Sequence, residues 1–196
     1  MSDPLKTFIE TPFCAVDFET TGGNFFKDKI IEIGAVKIEH LIITDKFHRV
    51  IDPSLRIPYR ITKLTGITND MVQGCDTFIE IIPYFLKFMG NSIWIEHSLN
   101  WFDFNFFINS CKSESHFLRI NTLELSRQFL QLRSLDLKSI ASCLNINIKQ
   151  KEYHSALEDA ELTAQIFLKL VKVLDQNGII YIDDLIKRRL IHGEKN

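Results

Sequence analysis

Three apolar runs crowd the start of the chain, at residues 13–19 (FCAVDFE), 30–38 (IIEIGAVKI) and 46–51 (KFHRVI). Each has the length of a strand, and turn residues punctuate them: TTGGN after the first and Asp52-Pro53 after the third. The connections are short for the helical crossover that parallel neighbours need, which points to antiparallel pairing of the runs. A meander of this kind opens a sheet, and the remainder of the chain is largely helical in pattern.

Helical spacing covers 61–72 and 76–89, the second interrupted by Pro83, and 92–96 is a short strand candidate. Helical patterns resume over 103–110, 123–130 and 137–144. The strongest helix runs from Ser155 to about Leu174, with Ala160, Ala164, Phe167 and Val171 as its core stripe. After the stop signal Asp175-Gln176-Asn177-Gly178, residues 182–191 offer one more short helix. The 196 residues therefore read as one α/β domain over 1–175 with a short, helical extension over 176–196. Lys187-Arg188-Arg189 in that extension reads as a solvated face, with docking of a partner as the alternative.

Several classes fall away on composition. Apolar residues make up 45% and charged residues 24%, so neither disorder nor a membrane protein is indicated. The first ten residues carry no basic segment followed by an apolar one, no run of about 18 apolar residues occurs, and a cytoplasmic protein is expected. Cys14, Cys75, Cys111 and Cys143 form no CxxC pair and read as buried, reduced thiols.

The first run carries two acids. Asp17 and Glu19 are two positions apart, so on a strand both side chains leave the same face. Like charges in an apolar segment are costly unless something positive lies between them, and hard divalent cations favour clustered carboxylate oxygens. Taken alone, the pair is also what a solvated strand end offers. Asp103 is a second carboxylate set among aromatics (NWFDFNFF), where capping of its own helix is the competing role. His154 and Asp159 lie in HSALEDA, with Ser155 placed to N-cap the long helix and His154 able to accept a proton from a nearby water.

In that order the three segments, D-x-E, a distant F-D and H-x-A-x-x-D-A, resemble the DEDDh exonucleases of the DnaQ-like family, which includes the proofreading epsilon subunit of bacterial DNA polymerase III. VDFETTG, KIIEIGAVKI, IDPSLRIPYRITKLTGITNDMV and LKSIASCLNI extend the likeness over residues 13 to about 171. The resemblance implies a ribonuclease H-like exonuclease fold: a mixed sheet with three antiparallel leading strands, flanked by helices. It implies Asp17 bridging two Mg²⁺ or Mn²⁺ ions, Glu19 and Asp159 completing one site, and Asp103 supporting the other largely through water. Such ions stand roughly 3.5–4 Å apart, one activating water and the other stabilising the departing 3′ oxygen. His154 is then the general base.

The same likeness implies release of nucleoside 5′-monophosphates from a single-stranded or frayed 3′ end. Thr20, Thr21 and Gly22 would lie against the terminal sugar, with Leu64, Thr65 and Phe102 by the terminal base. Where the family carries an adjacent His-Asn pair, this chain reads EHSLNWFD, with His97 six and Asn100 three residues ahead of Asp103. Asn100 is still expected near the terminal nucleotide. Asn121 stands where an aspartate is common, with only a structural consequence expected.

DNA proofreading beside a polymerase catalytic subunit is the favoured role. RNA 3′-end trimming is the alternative within the class, and a catalytically idle nucleic-acid-binding module the alternative outside it. A formal net charge of −2 means that cations and a few local basic groups must hold any polyanion.

Overall fold

The computed structural model describes residues 6–111, 117–148 and 153–193. Three leading strands, β1 (Phe13–Thr20), β2 (Ile30–Glu39) and β3 (Ile42–Val50), form the antiparallel meander. β3 starts at Ile42 rather than Lys46, because residues 40 and 41 take left-handed backbone and turn the chain back at once.

α1 (Tyr59–Thr65), α2 (Asn69–Val72) and α3 (Phe78–Met89) lead into β4 (Ile93–Glu96). The helix expected over 61–72 is thus two: Gly66, at φ 75°, ends α1, and Thr68 caps α2 by accepting from the Met71 amide at 3.3 Å. Pro83 does not break α3, since it sits on the exposed face where water can take the carbonyl it leaves unpaired.

Beyond β4 come α4 (Phe102–Cys111), β5 (Arg119–Asn121), α5 (Thr122–Phe129), α6 (Leu137–Cys143), α7 (Ala156–Gln176) and α8 (Ile182–Lys187). β5, at three residues, is too short for its periodicity to be read. Asn121 caps α5 by accepting from the Leu123 amide at 3.0 Å and donates to the Ser98 carbonyl at 2.8 Å.

The sheet order is β3-β2-β1-β4-β5, with β4 parallel to both β1 and β5. β1 is central, and its alternation divides two core layers. Phe13 and Ala15 pack beneath α7 with Phe167 and Leu170, while Cys14, Val16 and Phe18 face α3 and α4. Trp94 centres the second layer, 5.4 to 5.9 Å from the rings of Phe18, Phe85, Phe104 and Phe107. Much of the chain's phenylalanine is spent here.

Ile182, Leu185, Leu190 and Ile191 join the layer beneath α7. Of the cysteines only Cys14 is fully buried; Cys143 is exposed. No helix among the described residues is long and apolar enough to cross a membrane.

Candidate active site

Asp17 and Glu19 share strand parity with Phe13 and Ala15, so both carboxylates leave β1 on the side that α7 covers. Asp103, second in α4, is buried, and its Oδ1 accepts the backbone N–H of Phe18 at 3.0 Å. That bond fastens α4 to β1 between the two strand acids. Asp159 lies in the first turn of α7. His154 precedes the helix: its backbone N–H donates to the Leu64 carbonyl at 3.0 Å, and its Nδ1 stands 3.6 Å from Asp159 Oδ2.

These four carboxylates and the His154 imidazole thus line a single cleft of about 920 Å³. One ligand-capable atom each from Glu19, His154 and Asp159 lie within 4.8 Å of one another. The crowding shows in the acidities. Burial, and then the charges of Asp103, Asp159, Glu19 and Glu32, push the Asp17 carboxyl well above the usual carboxylate range. Asp103 is raised likewise, by burial and then by Glu96. Such a cluster demands a positive partner, and hard oxygen donors of this kind suit a divalent cation.

A second recess of about 470 Å³ shares Phe18, Glu19 and Phe102 with the cleft and adds Thr20, Gly22 and Leu64. Thr21, Thr65 and Asn100 are not brought there. The Thr21 hydroxyl donates to Asp28 at 3.2 Å, and the Thr65 hydroxyl donates to the Ile61 carbonyl at 3.0 Å, both turned inward. Asn100 is exposed at φ 57°, and Trp101 follows at φ 56°, so two consecutive left-handed residues absorb the irregular spacing before Asp103. His97 sits in the cleft wall, with Nδ1 2.8 Å from Thr122 Oγ1 and Nε2 2.9 Å from the Leu135 carbonyl.

The exonuclease family model RNase_T matches residues 14–167. The chain belongs to this exonuclease family. It is 38% identical to the DNA polymerase III epsilon subunit of Aquifex aeolicus over 172 residues, 85% of this chain and 83% of that one. It is 37% identical to the PolC-type DNA polymerase III of Thermotoga petrophila over 186 residues, 92% of this chain but only 13% of that one. The chain therefore spans roughly an eighth of the PolC-type relatives it matches. In fold it resembles a full-length 3′-exonuclease (TM-score 0.73, 22% identity, 88% of this chain and 84% of that one). It also resembles E. coli exonuclease I in complex with a dT13 oligonucleotide (TM-score 0.73, 15% identity, 91% and 44%). The exonuclease family is metal-dependent, in keeping with the acidic group in the cleft.

Two further carboxylates of this exonuclease carry weight that the sequence motifs do not mark. Glu32, on β2 opposite Glu19, is buried and accepts the Ala156 amide at 2.9 Å, the Ser155 hydroxyl at 3.4 Å and His48 Nε2 at 2.7 Å. Ser155 holds the N-cap position of α7 but makes no capping bond of its own, so a sheet residue supplies the acceptor. Glu96, at the end of β4 and wholly buried, accepts Trp94 Nε1 at 2.9 Å, the Phe104 amide at 3.1 Å and the Ser98 hydroxyl. Ser98 in turn accepts the Phe102 amide at 2.9 Å. The helices bearing Asp159 and Asp103 are therefore seated by acids from the strands flanking β1. A signal for both exists in the chain, since each is a charge inside an apolar strand run, the same pattern that marks Asp17.

Glu96→Ala orphans two buried N–H donors, each costing about 1–3 kcal/mol. A lowered urea midpoint and a higher cation requirement for activity are expected. Glu96→Gln keeps an acceptor of the same reach and should restore most of both; equal damage from the two variants would show that charge, not seating, is what matters.

Proposed function

We propose that this exonuclease removes nucleoside 5′-monophosphates from single-stranded or frayed 3′ ends of DNA, using two divalent cations, Mg²⁺ or Mn²⁺. The observation that carries this reading is the convergence of Asp17, Glu19, Asp103, Asp159 and His154, drawn from three separated segments, on one cleft. Asp17, Glu19, Asp103 and Asp159 would hold the cations, which when bound supply the charge that activates water and stabilises the leaving 3′ oxygen. His154, exposed at the cleft edge with its Nδ1 3.6 Å from Asp159 Oδ2, takes the proton from the attacking water. Thr20, Gly22, Leu64 and Phe102 bound the recess in which the terminal nucleotide sits against β1.

Likeness to the epsilon subunit over most of both chains, and to PolC-type polymerases, supports a proofreading role beside a DNA polymerase catalytic subunit. The chemistry is assigned to residues 1–175, with 176–196 as a short C-terminal extension. The test is degradation of matched 5′-labelled single-stranded DNA and RNA with Mg²⁺ or Mn²⁺, alongside EDTA and an Asp17→Ala control. A ladder shortening from the 3′ end of DNA, lost in both controls, is expected. Faster loss of RNA would replace proofreading with RNA trimming, and no cleavage of either polymer would defeat the reading.

A further inference from the structure

The cleft runs on well past the carboxylates. Its volume, about 920 Å³, is near the top of the roughly 300–1,000 Å³ usual for small-ligand clefts, more than one nucleotide seat requires. The far portion is built by α5, the linker after it and the start of α6. Leu123, Leu135 and Leu137 give it an apolar floor, and Arg127 and Lys138 stand along it.

Charge is distributed unevenly along this trough. The acids gather at the β1 end, while the only lysine or arginine side chains lining the cleft among the described residues are Arg127 and Lys138. Both are exposed, and neither forms an ion pair with a described residue. The single acid of the arm, Asp136, is engaged elsewhere: it caps α6, accepting the Ser139 amide at 2.9 Å, the Ser139 hydroxyl at 2.7 Å and the Ser134 hydroxyl. The arm therefore carries one net positive charge in a protein whose formal net charge is −2. The smaller recess, about 470 Å³, shares Phe18, Glu19 and Phe102 with the cleft and has one basic residue of its own, Arg60, beside Thr20, Gly22 and Leu64, where the terminal nucleotide is placed.

We propose that Arg127 and Lys138 form a phosphate-binding arm for the strand immediately 5′ of the scissile bond, with Leu123, Leu135 and Leu137 supporting its sugars and bases. This rests on the exonuclease reading and adds the direction in which the strand leaves the carboxylates. The ligand class is a single-stranded polynucleotide backbone held by charge, with affinity that falls as salt rises.

The test compares two substrates with the full chain and Mn²⁺: an oligothymidylate of twelve nucleotides and the p-nitrophenyl ester of thymidine 5′-monophosphate, which has no 5′ phosphates to reach the arm. For Arg127→Ala/Lys138→Ala the oligonucleotide KM should rise tenfold or more with kcat little changed, and the ester KM should shift far less. The slope of log KM against log salt should flatten by about 1.4, since each lost contact to a single strand removes about 0.7. Arg127→Lys/Lys138→Arg, which keeps both charges, should restore the oligonucleotide KM. An unchanged oligonucleotide KM, or equal losses on both substrates, overturns the arm while leaving the exonuclease reading intact. Wild-type protein that hydrolyses neither substrate overturns that reading, and the arm with it.

Discussion

Asp17→Asn is expected to abolish nucleotide release and, in the same protein, to raise the melting temperature of a chelator-treated sample at pH 8. The activity loss should reach about 10³-fold, the upper end of what removing one preorganised charged group costs. The stability gain follows from crowding: burial and the charges of Asp103, Asp159, Glu19 and Glu32 hold the Asp17 carboxyl well above its usual range. A carboxyl whose folded pKa exceeds its unfolded value, about 3.9, contributes stability below that value and loses it as pH rises through the folded pKa. Chelated wild type should therefore melt progressively lower from about pH 4 upward, and Asp17→Asn should soften that fall. Asp103, raised for similar reasons, keeps part of the slope. Mn²⁺ should stabilise wild type most at alkaline pH and the variant little. Thermal melts across pH, with and without EDTA, read both effects; a variant that melts lower than wild type at pH 8 would mean that Asp17 serves the fold rather than a cation.

Gly34→Ala should inactivate the enzyme by a purely steric route. Gly34 pairs with Asp17 across β1 and β2, and α7 begins directly over it. A methyl there would meet the carbonyl carbon and oxygen of Ala156 at 2.1 and 2.2 Å, and the Leu157 nitrogen at 2.2 Å. All three are backbone atoms, so no rotamer change relieves the clash, and either α7 lifts or β2 bends. Overpacking of this kind costs about 1–3 kcal/mol or more. The functional loss should exceed the stability loss, because Asp159 and His154 travel with the start of α7, and a displacement of about 1 Å at a reacting centre can cost about 10²-fold. Activity measured well below the melting temperature separates the two. Full activity in a folded Gly34→Ala protein would show that the position of α7 is not what sets the site.

Asp17 and Gly34 owe their importance to opposite kinds of information. Asp17, Glu19, Asp103, His154 and Asp159 are legible in the chain because each lies in a local pattern: an acid in an apolar strand, an acid among aromatics, a histidine ahead of a strong helix. The meander is equally local, since short connections point to antiparallel pairing. Gly34, Glu32 and Glu96 matter through partners that spacing does not reveal. Glu32 meets the Ala156 amide across 124 positions of sequence, and that bond exists only once strand register brings β2 under α7. The same holds for Ser155, whose sequence position suggests a self-sufficient cap although a buried carboxylate takes the amide, and for Asn100, which the backbone turns outward. Periodicity alone pointed to an α/β domain opened by an antiparallel meander, because backbone repeats of two and 3.6 residues are local. The acids at its centre were singled out by their order along the chain and its resemblance to the DnaQ-like family. Which carboxylates seat the helices, which glycine lets α7 approach, and where Arg127 and Lys138 stand along the cleft were decided by tertiary packing, which joins groups that the chain holds far apart.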